Sequence, residues 1–297
     1  QPDGYFDQKV MSTGSPYLDY KINTETGLGG IPLGNLTLVT GWESSGKSSF
    51  VLNAIANAQK DSDKYFVYFD GENSVKSSYL DRFGVDKSKF IHIKEKNLEA
   101  VLDVATSFSR ADDVQCIIFD SIKSFVSTDV ESQTAEEYSM GVEARKWGSR
   151  MPIIFGNAAR RNIAVIAINQ WRDKIGTHGD TRTLPGGHWQ RYDSSLSIDL
   201  TKKVLIKEGE KIIGNIIDVR IKKSKQDAYD PTKQFSLNFY YDGGFNKIDE
   251  NVSLLIEKGV LEQTGAWIKL PNGEKINGRA KAVEFFKDNP EYLNTLL

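Results

Sequence analysis

Gly41-Trp42-Glu43-Ser44-Ser45-Gly46-Lys47-Ser48 has the spacing G-x-x-x-x-G-K-[ST]. Glycines at this spacing let the backbone curl so that successive N–H groups point inward. A helix starting after Lys47 would add the positive end of its dipole. Such a cradle suits phosphate oxygens. In this pattern Lys47 reaches the β- and γ-phosphates and the Ser48 hydroxyl ligates Mg²⁺. Glu43, Ser44, Ser45, Gly46, Lys47, Ser48 and Ser49 are therefore candidate contacts to a nucleoside triphosphate, ATP with magnesium. Two carboxylates extend the chemistry. Asp120 ends an apolar run and precedes Ser121, where a second magnesium-side carboxylate should lie, contacting the ion directly or through water. Read blandly, it only caps a following helix. Glu72, in Asp70-Gly71-Glu72, lies just past another apolar run and is placed to orient or deprotonate an attacking water.

The elements that must hold these residues can be read in order. Leu36–Thr40 is a short apolar, β-branched run, a buried strand, and the segment from Lys47 reads as a helix. Tyr65–Phe69 predicts a second buried strand, ending at Asp70. Leu98 to Arg110 reads as a helix capped by Asn97. Val114–Phe119 predicts a third strand, ending at Asp120. Glu136 to Arg161 predicts one long helical stretch interrupted at Pro152. Ile163–Ile168 predicts a fourth strand, ending at Asn169-Gln170. Strands alternating with helices imply an α/β fold with a mainly parallel central sheet covered on both faces. Ligands of such sheets bind at the carboxyl ends of the strands, where every residue singled out above falls. From Leu196 to Phe245, shorter alternating runs, such as Ile212 to Ile221 and Phe235 to Tyr241, predict antiparallel strands at the sheet's far edge. After Asn251, helix-like pieces around Trp267–Leu270 and the turn Pro271-Asn272-Gly273 suggest a small C-terminal α/β domain.

Composition narrows the rest. The chain has 297 residues and a formal net charge of -2, which suits one large domain with a small appendage. The charge argues against a strongly basic nucleic-acid clamp but leaves room for a local patch. The single cysteine, Cys116, lies in an apolar run; it reads as a small buried hydrophobe, and no disulfide can form within the chain. His92, His178 and His188 are scattered, so no zinc site of familiar spacing exists. There is no apolar run of ~18 residues to span a membrane and no basic-then-apolar signal segment. A reducing, cytoplasmic compartment is expected.

The phosphate loop resembles that of bacterial RecA recombinases, and so do segments along nearly the whole chain: Ser12–Ser15, Leu28–Gly34, Phe69–Glu72, Phe119–Ser121, Ser139–Gly141, Ile168–Gln170, Lys174–Gly176, Gly265–Trp267, Gly273–Ile276 and Lys287–Glu291. The substitutions between them mark a divergent member, of bacterial or phage origin. The resemblance implies residues 1–10 as the remnant of an N-terminal arm without the assembly helix, 11–248 as a RecA-like P-loop ATPase core, and 249–297 as the C-terminal domain. It implies a DNA-dependent ATPase that forms a homo-oligomeric filament on single-stranded DNA and pairs it with homologous duplex DNA. By position, Glu72 resembles the water-activating carboxylate, Gln170 the sensor linking γ-phosphate to DNA, and Tyr79 and Tyr241 the contacts to the base. Lys223 and Lys225 match lysines that reach a neighbouring subunit's ATP and stabilise transition-state charge. From sequence alone that lysine run reads more simply as a solvated strand end.

Two loops should face the DNA, about Glu131 to Gly141 and Trp171 to Gly187. The stretch from Trp171 to Arg191 carries four basic and two acidic residues and two histidines, a modest basic patch able to hold phosphates without reading sequence. Arg145, Arg172, Gly186 and Gly187 match DNA contacts of the family, His188 stands where it has asparagine, and Met140 and Ile175 could wedge between bases. The second loop is one residue short, and Arg182 replaces an acidic position. Trp171 and Trp189 are added aromatics, expected to pack rather than to stack on bases. Two other classes share parts of this pattern: a hexameric helicase or clock-type ATPase, and a non-enzymatic module in which ATP only licenses assembly. The former does not explain Gly265-Ala266-Trp267; the presence of both Lys47 and Glu72 weighs against the latter.

Overall fold

The computed structural model describes residues 9–131, 141–173, 182–226 and 234–297. Helix α1 (Pro16–Ile22) begins on Ser15, whose hydroxyl accepts the Leu18 amide at 3.1 Å, a side-chain cap with proline in the first turn. It leads into β1 (Leu36–Gly41), buried at every position, as a strand covered on both faces must be. Helices and strands then alternate: α2 (Lys47–Ala58), β2 (Tyr65–Asp70), α3 (Ser77–Phe83), β3 (Phe90–Ile93), α4 (Leu98–Phe108), β4 (Val114–Asp120), α5 (Val142–Arg161) and β5 (Ala164–Gln170). Helix α6 (Trp189–Asp193) precedes the long hairpin of β6 (Ser194–Glu208) and β7 (Lys211–Ser224), followed by β8 (Gln234–Tyr240) and β9 (Gly244–Phe245).

These strands form one nine-stranded sheet in the order β9-β8-β7-β6-β1-β5-β4-β2-β3. Pairing is parallel from β6 through β3 and antiparallel from β6 outward to β9. The α/β class and mainly parallel sheet expected from the sequence hold. Alternate residues of one strand feed opposite layers, as a two-residue side-chain period requires. Phe66 and Tyr68 pack with Phe50 and Val51 of α2 on one face. Val67 and Phe69 pack with Val101 of α4 and Trp147 of α5 on the other. Cys116 is a buried free thiol in the first layer.

Two expectations need correction. Pro152 does not interrupt its helix: α5 runs unbroken for 20 residues through it. The carbonyl that a proline leaves unpaired belongs to the residue four earlier, here Gly148. Both Gly148 and Pro152 are exposed, so that carbonyl lies on the helix face turned to water. Residues 136–140 of the expected helix lie outside the described residues. In addition, β6 is 15 residues long, not a short run. Its first half is buried and its second half mostly exposed, so the polar half hides the strand from an apolar-pattern reading. Strand β3 and helix α3 were not anticipated.

The C-terminal residues build a third apolar cluster of their own, with Leu255, Leu261, Ile268, Leu270, Phe286 and Leu293 at its centre. It forms from α7 (Lys247–Glu257), the three-stranded sheet β10 (Glu262–Thr264), β11 (Trp267–Lys269) and β12 (Lys275–Asn277), α8 (Arg279–Asp288) and α9 (Pro290–Leu296). Helix α7 docks on α1, where Glu257 accepts from Lys21 at 2.7 Å and Tyr17 at 3.0 Å. At the same seam Glu250 is only 3% exposed. Its carboxylate faces Ser15 and the Tyr17 amide without a well-formed hydrogen bond. Burial raises its pKa from 4.5 to about 8.

A carboxyl raised in the folded state keeps its proton there while the unfolded chain has lost it. Stability therefore falls as pH rises toward the folded pKa. Asp19 at the same seam is raised to about 6 by burial, so the range from pH 6.5 to 8 isolates Glu250. Over that range the protein should lose about 2 kcal/mol, and Glu250→Gln should flatten the slope. Urea midpoints at the two pH values check this; equal slopes in both proteins would refute it.

Candidate active site at the strand ends

Sheet register gathers the chemistry. Gly41 pairs with Gln170 across β1 and β5, and Asp70 with Asp120 across β2 and β4. The carboxyl ends of four strands thus open onto one cleft of about 580 Å3, lined by the phosphate loop, Glu72, Tyr79, Asp120, Gln170 and Tyr241.

The loop's glycines are required by geometry. At Gly41 a Cβ would stand 2.3 Å from the Leu200 carbonyl oxygen. Gly46 has φ of 90°, where side chains are strained. Gly46 also precedes α2 without a side-chain cap, so the first amides of that helix are left for an anion. Lys47 is 5% exposed. Its ammonium donates to the carbonyls of Gly41 at 3.2 Å and Trp42 at 2.6 Å. Burial lowers its pKa, while the charges of Asp120 and Glu72 oppose that shift.

Asp120 is 2% exposed and accepts from the Tyr68 and Ser48 hydroxyls. Burial lifts its pKa to about 6 against those two hydrogen bonds. Among the described residues no cluster of three or more acidic, histidine or cysteine side chains exists for a metal. The donors at hand are one hydroxyl and one carboxylate, side by side. That hard-oxygen pair fits Mg²⁺, which keeps several waters and takes phosphate oxygens for its remaining positions.

Glu72 is held from both sides. Behind it, fully buried Asp70 accepts the amides of Ser74 at 3.1 Å and Val75 at 3.0 Å, fixing the turn that carries Glu72. In front, Oε1 of Glu72 accepts from Ser121 at 2.7 Å and from the Gln170 amide at 3.2 Å, and lies 3.7 Å from the Lys123 ammonium. At the other end of the cleft the Tyr79 hydroxyl meets that of Ser49. The Tyr79 ring stands edge-on to Phe83 at 5.1 Å, with the Arg82 guanidinium at 6.0 Å. The Tyr241 hydroxyl donates to Asn215 at 3.2 Å.

Sequence reasoning missed Lys123, Arg82 and Asn215, all lining this cleft, and Tyr68 behind it. Tyr68 could have been found: it sits two residues before Asp70 on the same strand face, and Asp70 is opposite Asp120.

Lys223 and Lys225 are not in this cleft. The Lys223 ammonium closes the carbonyl end of α6, donating to Arg191 at 2.9 Å and Tyr192 at 3.0 Å, and lines a separate pocket with Trp171, Arg182 and Arg191. Lys225 is exposed, with its amide bonded to Ser195 at 2.9 Å. Among the expected DNA contacts, Arg145 and Arg172 are exposed, and His188 is exposed just before α6. Gly186 and Gly187 lie against Ile122 and Ala144. Met140 and Ile175 lie outside the described residues. Trp189 packs: it is stacked on Trp147 with ring centroids 5.6 Å apart. The Trp171 indole donates to Asp199 at 2.6 Å, with the Arg182 and Arg191 guanidiniums each 5.5 Å from its ring.

The fold and loop together define a P-loop NTPase with a RecA-like core. The family model of the RecA N-terminal domain matches residues 4–246, and the chain belongs to the RecA family of recombinases. Among the described residues no helix is long and apolar enough to cross a membrane.

Proposed function

We propose that this protein is an ATP-dependent DNA recombinase that assembles on single-stranded DNA, pairs it with homologous duplex, and hydrolyses ATP in response to DNA. The observation that carries this reading is a short hydrogen-bonded link between two regions. Gln170 donates to Glu72 in the cleft at 3.2 Å. Its neighbour Asn169 donates to the Pro185 carbonyl at 2.8 Å and to Gln190 at 2.7 Å, on either side of Gly186, Gly187 and His188. A shift of the segment assigned to DNA therefore pulls on the strand end that carries the sensor amide.

In this reading the loop amides and Lys47 bind the phosphates of ATP, and Tyr79 and Tyr241 bound the base. Ser48 and Asp120 would hold Mg²⁺, which when bound neutralises charge on the phosphate oxygens. Glu72 takes a proton from the attacking water, and Gln170 orients that water against it. Lys223 and Lys225 act from a neighbouring copy in the filament. Arg145, Arg172 and the segment from Gly186 to His188 hold the DNA backbone.

ATP hydrolysis with and without single-stranded DNA tests the reading, with Lys47→Ala as the blank. Strong stimulation by DNA is expected, because it requires the two sites to be coupled. DNA binding by phosphate contacts should also weaken steeply, by an order of magnitude or more, from about 50 to 200 mM salt. Intact ATP binding without stimulation, or a flat salt response, would overturn the reading.

A further inference from the structure

Lys123 has no part in the chemistry assigned above, yet its ammonium lies between the two groups that carry it. The residue sits in the single turn Ile122–Ser124 directly after β4. That turn is anchored by buried Ile122 and by the Ser124 amide on the Ser121 carbonyl at 2.9 Å. From there Nζ reaches Oε1 of Gln170 at 2.5 Å and stands 3.7 Å from Oε1 of Glu72. Gln170 closes the triangle by donating its amide to the same Glu72 oxygen at 3.2 Å.

A side-chain amide has one acceptor and one donor end, and it can turn over. Here both ends are occupied, the acceptor by Lys123 and the donor by Glu72, so a single orientation is selected. Without the ammonium nothing distinguishes the two ends except Glu72, and the amide is free to swing out of the cleft. Lys123 is poorly placed to be a folding device. Its side chain is 24% exposed and that of Glu72 31%, and ion pairs so open to water contribute little to stability. Its charge also adds to that of Lys47 across the cleft, a repulsion that a polyanion entering between them would relieve.

We propose that Lys123 is a positioning residue for ATP hydrolysis, its ammonium fixing the Gln170 amide against Glu72 so that sensor and water-activating carboxylate act as one unit. This rests on the function proposed above and deepens it.

The test measures kcat and KM for ATP, with and without single-stranded DNA, for the full chain and for Lys123→Met and Lys123→Arg. Lys123→Met should lower DNA-stimulated kcat by about tenfold to a hundredfold, the cost of misplacing a group near the reacting atoms, with KM changed by less than about twofold. Its turnover ratio with and without DNA should fall toward one. Lys123→Arg, which keeps the charge and can bridge both oxygens, should recover most of the stimulated rate. A thermal midpoint close to that of the parent protein would show that the loss is not one of folding. Should the methionine variant fail to fold, Lys123→Gln takes its place with the same expected loss. Parental kcat and DNA stimulation in the neutral variant overturn the inference. So does a raised KM with kcat intact, since Lys123 would then only bind nucleotide. If the parent protein itself shows no DNA-stimulated hydrolysis, the underlying function fails and this inference with it; a stimulated parent with an indifferent variant sinks the inference alone.

Discussion

Lys47→Ala is expected to bring ATP turnover down to background, a loss of at least about a hundredfold to a thousandfold. The ammonium is the one buried cation among the residues assigned to the phosphates, and burial magnifies what a charge does there. It stands among Asp120 and Glu72, whose charges favour its protonated form. Removing it leaves those carboxylates in the cleft with less to offset them, so a triphosphate would meet net repulsion at its γ end. The same change strips a donor from the carbonyls of Gly41 and Trp42, which it bonds at 3.2 and 2.6 Å. That loss costs about 1–3 kcal/mol of stability. A thermal scan beside the turnover assay separates the two effects: a folded variant without turnover places Lys47 in the site, whereas unchanged turnover would refute the assignment.

The parts of this protein legible in its sequence are those fixed by short-range pattern. The loop from Gly41 to Ser48 declares itself by glycine spacing, and Asp70, Asp120 and Gln170 by their position just after apolar runs. The parallel sheet follows from the alternation of those runs with helical spacing. Contacts set by register across strands were harder to read. Tyr68 reaches Asp120 diagonally between β2 and β4, and Lys123, just past the end of β4, reaches Gln170 at the end of the adjacent β5. The second pairing has no local signature, whereas Tyr68 is betrayed only by sharing a strand face with Asp70, opposite Asp120. Strand β6 was obscured because its outer half is exposed and polar, and α5 because Pro152 reads as a break when its lost hydrogen bond falls on the water-facing side. Lys223 and Lys225 were assigned to a neighbour's site by resemblance. Within one chain they lie by α6 and β6, away from the phosphate loop.

Glu72→Gln should separate binding from turnover more cleanly than any change in the loop. The substitution keeps shape and the ability to accept from Ser121, which lies 2.7 Å away, so the turn held by Asp70 should persist. It removes the capacity to take a proton, and general-base catalysis contributes about a hundredfold to ten-thousandfold. The expected result is a kcat lower by that factor, with KM for ATP little changed and DNA binding retained. Because assembly in the proposed function needs bound ATP rather than its hydrolysis, the variant should stay on single-stranded DNA longer after one dose of ATP than the parent does. Turnover by single-cycle kinetics and retention on labelled DNA measure the two halves independently. A variant that hydrolyses ATP within tenfold of the parent would remove Glu72 from the role of base and leave Gln170 and Lys123 to be explained without it. Slow hydrolysis with rapid release from DNA would instead keep Glu72 as base and break the link between nucleotide state and assembly.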